Sequence, residues 1–320
     1  MQKRTIRIAN PVDAATLVPY LLGYQPQNSL AMLAVEDGQL RLAGAQALPD
    51  GDDPRPLGHH LADVLLSNGL NQALLIGYGP HEPMTDAVDT AIAVFTDRGI
   101  TVLDAMRVGE GRLWHLGCDE PHCTIKSLPY DPASTIVAAE ATYAGMQIAV
   151  DRDALATRLA PISGADQQRM NAAILAAVHT LAQPLRTDDR LGERIATLVA
   201  EALTAARQDS QLSDDHAAQL LILLAFAHLR DAAVPLVHGS RHHIAVWSDL
   251  TRRAGAGSLA CAPAIFLALA AVQAGDGVTA VLAADRACQA DPGDEFAELV
   301  QHVIHSGISP EAVHQALHRR

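Results

Sequence analysis

Aromatic residues make up only 3% of this 320-residue chain. With so few rings, alanine and the aliphatic residues must fill any core, and alanine favours helix. Cysteine is nearly as scarce, and four cysteines are too few for a disulfide scaffold. No window holds 18 uncharged apolar residues, so no membrane-spanning helix is expected. The start, MQKRTIRIAN, carries basic residues with no apolar core of signal-peptide length behind them, and the expectation is a cytoplasmic protein. Positive charge is outweighed: the formal net charge is -13 and the pI about 5.5. That balance opposes a phosphate-neutralising surface, and Arg252-Arg253 and His318-Arg319-Arg320 are too small to form one, so neither nucleic acid nor membrane is expected as a partner.

What is present is ample core material: 49% hydrophobic residues, 18% charged residues and a mean hydropathy of +0.11. The length points to two domains. The most informative stretch is Leu17 to Val35. Leu17, Val18, Leu21 and Leu22 fall on one face at helical period, Asp13 reads as the N-cap, and Gly23 stops the helix. Gln25-Pro26 keeps the chain extended, and the apolar run from Ser29 to Val35 reads as a strand buried on both faces.

Thr5 to Ile8 alternates as a first strand would, and Asp37-Gly38 is a hairpin signal leading into a strand over Leu40 to Leu48. Leu57 to Gly69 reads as helix, Gln72 to Gly77 as a buried strand, and Pro83 to Arg98 as helix. A second hairpin is expected across Gly109-Glu110-Gly111. After Val150 the strands disappear. Asp151 to Leu159, Gln167 to Leu181, Asp189 to Gln208, Ser213 to Leu229, Ser240 to Arg253, Pro263 to Ala274, Val278 to Ala290 and Asp294 to Ser306 all read as helices. The expected fold is therefore α/β: an N-terminal mixed sheet with flanking helices over 1–150, then an all-α half over 151–320. Within that half, Leu267, Ala268, Ala280, Ala287 and Pro292 fall at tetratricopeptide spacing, in a helical hairpin over 263–292 turning at Gly275-Asp276-Gly277. No second copy lies 34 residues upstream, which favours a lone hairpin over a solenoid.

PYLLGYQPQNSL (19–30), the Trp114 to Cys123 segment, and the stretch from Ala264 to Val300 together resemble a high-GC bacterial family, domain of unknown function 4192. The resemblance runs over nearly the whole chain. It implies a cytoplasmic bacterial protein and lends no catalytic residues. Members often carry a cysteine cluster after the tryptophan strand; here that place reads Cys118-Asp119-Glu120-Pro121-His122-Cys123, with His122 where the family pattern has an adjacent cysteine.

The same segment is the chain's best chemical motif. His115, Cys118, His122 and Cys123 bring two thiols and two imidazoles within nine residues, donors that suit tetrahedral zinc. A reversible Cys118-Cys123 disulfide and two inert loop thiols are the alternatives, since four ligands from so short a stretch would crowd the backbone. No cofactor is expected; zinc held by this segment is one of the three open alternatives. A second candidate is the Gly77 to Pro83 turn, because α/β sheets place ligands at the carboxyl ends of strands and at helix N-termini. There Tyr78, His81 and Glu82, joined by Asn28, Ser29 and Trp114, form the candidate ligand-binding set. The turn matches neither phosphate-loop nor dinucleotide patterns. Cys261 and Cys288 lie in alanine-rich helices and are expected buried and inert.

Two functions follow. The first is a non-enzymatic binding or interaction protein whose helical half meets a protein partner. The alternative is a small-molecule enzyme or ligand sensor using the strand ends. No complete catalytic constellation appears in the sequence, which favours the first.

Overall fold

In the computed structural model, residues 6–49, 53–116, 127–144, 146–188 and 190–318 are described. Helix α1 (Pro11–Leu22) opens with proline at its first position, where the missing N–H costs nothing and φ is already set. Its cap is Asn10, whose Oδ1 accepts from the Asp13 N–H at 2.9 Å. Asp13 therefore sits inside the first turn instead of capping it, and its carboxylate accepts from the Ala9 N–H at 3.0 Å. Gly23, left-handed at φ 74°, closes the helix.

Strands β1 (Ser29–Glu36) and β2 (Gln39–Ala47) form the first hairpin, with Asp37 and Gly38 both at positive φ (51° and 70°) as its tight turn requires. Then follow α2 (Arg55–Ser67), β3 (Gln72–Tyr78), α3 (His81–Asp97), β4 (Thr101–Gly109), β5 (Arg112–Leu116), the short β6 (Leu128–Pro129), α4 (Ile136–Tyr143) and α5 (Arg152–Ala156). The strands form one sheet in the order β2-β1-β3-β4-β5-β6. Only the β3–β4 pair is parallel; the others are antiparallel, so the sheet is mixed. The expected first strand is not formed: among the described residues Ile6, Arg7 and Ile8 join no ladder, because alternation without a neighbouring strand leaves the backbone unpaired.

Strand alternation divides the burial. Leu30, Met32 and Ala34 of β1 and Ala73 and Leu75 of β3 share a core with α2 and α3. The intervening side chains face the other way, toward α1. There Pro19, inside α1, has no N–H to give the Ala15 carbonyl four residues back. Two tyrosine hydroxyls replace it, Tyr78 at 2.6 Å and Tyr130 at 3.2 Å.

The chain divides into two units, 1–155 and 156–320. The second is helical: α6 (Gly164–Leu181), α7 (Pro184–Thr187), α8 (Leu191–Arg207), α9 (Asp214–Leu224), α10 (Ala227–Ala233), α11 (Arg241–Arg253), α12 (Cys261–Gln273), α13 (Gly277–Ala290), α14 (Glu295–His305) and α15 (Pro310–His318). The single helix expected over Ser213 to Leu229 is two, bent by 113° at Ala225–Phe226. No single described helix is long and apolar enough to cross a membrane. Helix α12 is buried on all sides, from Cys261 to Val272, and forms the centre of this core with Trp247 against Phe266 at a ring separation of 4.9 Å. Alanines at 280, 283, 284 and 287 let α13 lie close to it. Asp276 caps α13 by accepting from the Thr279 N–H at 3.0 Å.

Candidate functional site

The carboxyl ends of the parallel strands β3 and β4 meet at Gly79. Three glycines let the chain close up there. A Cβ on Gly77 would lie 2.6 Å from the Met84 sulfur, so its absence lets α3 settle on the sheet. A Cβ on Gly79 would lie 3.1 Å from Asn28 Oδ1, and one on Gly109 would lie 2.7 Å from both the Gly79 oxygen and Arg107 Nη1. Into this corner β4 delivers Arg107, in register beside Gly77, with a side chain only 3% exposed.

Arg107 is fully engaged. Nη1 donates to the Gly79 oxygen at 2.9 Å, and Nη1 and Nη2 each reach Glu110 Oε2 at 3.1 Å. The guanidinium also lies over Trp114, its partner across the β4–β5 ladder, with Cζ 3.7 Å from the ring centroid. A buried cation requires such pairing, and arginine's planar fork and weak hydration suit it. The Glu110-Gly111 turn, with φ of 45° and 69°, is tight enough to fold the carboxylate back onto the guanidinium. Sequence reasoning does not single out Arg107, since one arginine in an apolar strand reads as a solvent-facing position. The available signal is the glycine spacing around it, at 77, 79 and 109.

The six residues expected to bind a ligand divide between the two faces of the sheet. Asn28 is exposed, at φ 44°, a conformation asparagine tolerates better than most residues, and its side chain lies against Gly79. His81 and Glu82 are exposed in the first turn of α3, whose N-terminus no side chain caps, and His81 Nδ1 lies 3.0 Å from Thr85 Oγ1. Trp114 is half-buried over Arg107. Ser29 and Tyr78 pair across the β1–β3 ladder and are both buried. Ser29 Oγ donates to the Gln27 carbonyl at 2.7 Å, while the Tyr78 hydroxyl is spent on Ala15. Burial holds the Tyr78 phenol well above its ordinary range and pushes Tyr130 up to about 12. Both stay protonated as donors at neutral pH.

Of the expected metal ligands, His115 stands on β5 with Nδ1 3.4 Å from Asp104 Oδ1, a neighbour the sequence does not point to. Cys118, His122 and Cys123 lie outside the described residues. In the helical unit, ligand atoms of Cys261, Asp291 and Asp294 all lie within 4.8 Å of one another. Their surroundings oppose a cation. The Asp294 carboxylate already accepts from Arg230 at 2.7 Å and from the Ala297 N–H at 2.9 Å, and burial, followed by the Asp294 charge, pushes the Cys261 thiol up to about 12. A neutral thiol beside a partly buried ion pair is a packing group.

The fold thus defines a mixed α/β unit joined in one chain to an all-helical unit. The family model for a domain of unknown function, DUF4192, matches residues 11–311, and the chain belongs to that family. No curated protein and no solved structure matches it.

Proposed function

We propose that this is a non-enzymatic binding protein whose helical unit engages a protein partner. One side of α6 carries the reading. The helix buries Met170, Ala173, Ala177 and Leu181 on one stripe, yet on its outer side Leu175 is 64% and Val178 45% exposed, one turn apart. Two aliphatic side chains at helical spacing on an open flank are what a partner helix or groove would cover. Helix α6 packs on α9, and the hairpin α12–α13, tetratricopeptide-like in its spacing, contributes to the same core. The strand-end corner adds support of another kind, because Ser29, Tyr78 and Arg107 spend their polar atoms on the fold itself. The family resemblance extends the reading to a bacterial cytoplasm.

The test is site-specific photo-crosslinking in cells, with the reactive residue at Leu175 or, as the control, at Leu103 of the α/β unit, which is 47% exposed. The expected outcome is a discrete heavier species from position 175 alone, lost in Val178→Asp. The same products from both positions, or none from 175, would end this reading.

A ligand-sensing role at the strand ends is the second reading. It rests on Asn28 lying against Gly79, just ahead of the uncapped first turn of α3. A small molecule that raises the melting temperature equally in the native chain and in the His81→Ala, Glu82→Ala variant would remove the site as placed.

A further inference from the structure

The two edges of the sheet are built differently. One ends in β6, two residues long with Pro129 in it, the kind of short, proline-bearing edge that resists pairing. The other is β2, nine residues with no proline, whose single charge, Arg41, is held by Glu36 at 3.1 Å. Its pairing with β1 fixes which groups face outward. Leu48 N–H donates to the Asn28 oxygen at 2.8 Å, and in an antiparallel ladder alternate residues bond to the same neighbour. Gln46, Gly44 and Leu42 therefore turn their peptide groups to β1, and Ala43, Ala45 and Ala47 turn theirs away. Among the described residues nothing meets these outward N–H and C=O groups.

We propose that β2 pairs with β2 of a second copy of this chain, antiparallel about a two-fold axis through Ala45. In that register Ala45 exchanges both hydrogen bonds with its symmetry mate and Ala43 exchanges both with Ala47, which makes six interchain bonds. The fit is self-complementary, as an isologous contact must be. Every outward residue is alanine, so small side chains meet small side chains and no like charges face each other. Leu42 comes opposite Leu48, Arg41 stays on Glu36 at the bulge, and Pro49, which has no N–H to offer, falls just beyond the ladder. The two sheets become one continuous sheet whose remaining edges are the blunted β6 ends.

The experiment is sedimentation velocity of the native 320-residue chain over a wide concentration range, beside three variants. Ala45→Pro removes an outward N–H, a change an edge strand tolerates when that N–H faces solvent. In the second, Ala43→Lys with Ala47→Lys opposes two pairs of like charges, and mixing it with Ala43→Glu, Ala47→Glu restores attraction. The expected result is twice the 33.8 kDa chain mass for the native protein, one chain for each variant alone, and twice that mass again for the lysine–glutamate mixture. The restored mixture separates a lost interface from a lost fold. A single-chain mass for the native protein at every concentration would overturn the proposal, as would a dimer that survives Ala45→Pro with unchanged circular dichroism. A monomer that dimerises only when residues 1–5 are removed would assign the edge to the chain's own start and also overturn it.

Discussion

The guanidinium carbon of Arg107 lies 3.7 Å from the centre of the Trp114 ring, and the same side chain holds the Gly79 oxygen and the Glu110 carboxylate. One residue thus ties together the ends of β3 and β4, the turn after them and the strand beyond. The two members of this ion pair are unequal: Arg107 is buried, and Glu110 is 58% exposed. Arg107→Lys, which keeps the charge but loses the fork that lies over the ring, should destabilise the α/β unit by about 2–3 kcal/mol. Glu110→Gln should cost no more than about 1 kcal/mol. Denaturant unfolding followed by Trp114 emission in a Trp247→Phe background measures both, and equal losses would contradict this division.

Helix α1 gives a prediction that couples two sites. Tyr78→Phe removes the shorter of the two hydroxyl donors to Ala15 and should cost about 1–2 kcal/mol. In a Pro19→Ala background the restored backbone N–H satisfies Ala15, and the same substitution should cost less than half as much. A double-mutant cycle with no coupling would show that Pro19 is not what frees the carbonyl.

Two glycines rank against each other. A Cβ on Gly239 would lie 2.5 Å from the backbone carbon of Gln273 and 2.7 Å from the Ala274 nitrogen, and no side-chain rotation relieves that clash. A Cβ on Gly77 meets Cγ and the sulfur of the buried Met84, side-chain atoms that can turn aside where backbone cannot. Gly239→Ala is expected to lose more than about 3 kcal/mol or fail to fold, and Gly77→Ala about 1–2 kcal/mol. Melting temperatures of the two variants give the order directly.

His243 makes the helical unit acid-sensitive. Its side chain is 8% exposed, Nδ1 lies 2.8 Å from Ser240 Oγ, Nε2 is buried without a partner, and the His238 ring stands 5.3 Å away. Burial, with repulsion from His238, Arg207 and His242, pushes its pKa down to about 4. The unfolded chain takes the proton first, so the contribution is intact above about pH 6.5 and is lost progressively as pH falls toward 4. A loss on the order of 2 kcal/mol across that window is expected, absent in His243→Phe. Trp247 emission in a Trp114→Phe background reads this unit alone. Identical acid limbs for His243→Phe and the parent would refute the assignment.

Residue chemistry made some of the fold legible and left other parts hidden. Asp37-Gly38 and Glu110-Gly111 marked both hairpins because tight turns demand positive φ, a local requirement. The run from Ser29 read as a buried strand because burial on both faces needs no alternation, and residues 29–34 are indeed buried throughout. The break between α9 and α10 left no mark, because neither glycine nor proline stands at Ala225–Phe226 to signal it. At the candidate site, Asn28, His81, Glu82 and Trp114 lie near the strand ends as their positions suggest. Ser29 and Tyr78 do not share that side, because a strand turns successive side chains to opposite faces. Arg107 was hidden for a related reason: a single arginine in an apolar strand does not reveal that the Gly79 carbonyl, 28 residues back, closes over it, and only the glycines at 77, 79 and 109 hint at that approach.

The Ala15 carbonyl carries a consequence for synthesis. Its donors stand 63 and 115 residues farther along the chain. When α1 first leaves the ribosome it is a helix with a gap in its bonding that water must fill, and it stays so until β3 and then Tyr130 have been made. The N-terminal segment that comes first in translation is thus among the last parts of its unit to be sealed.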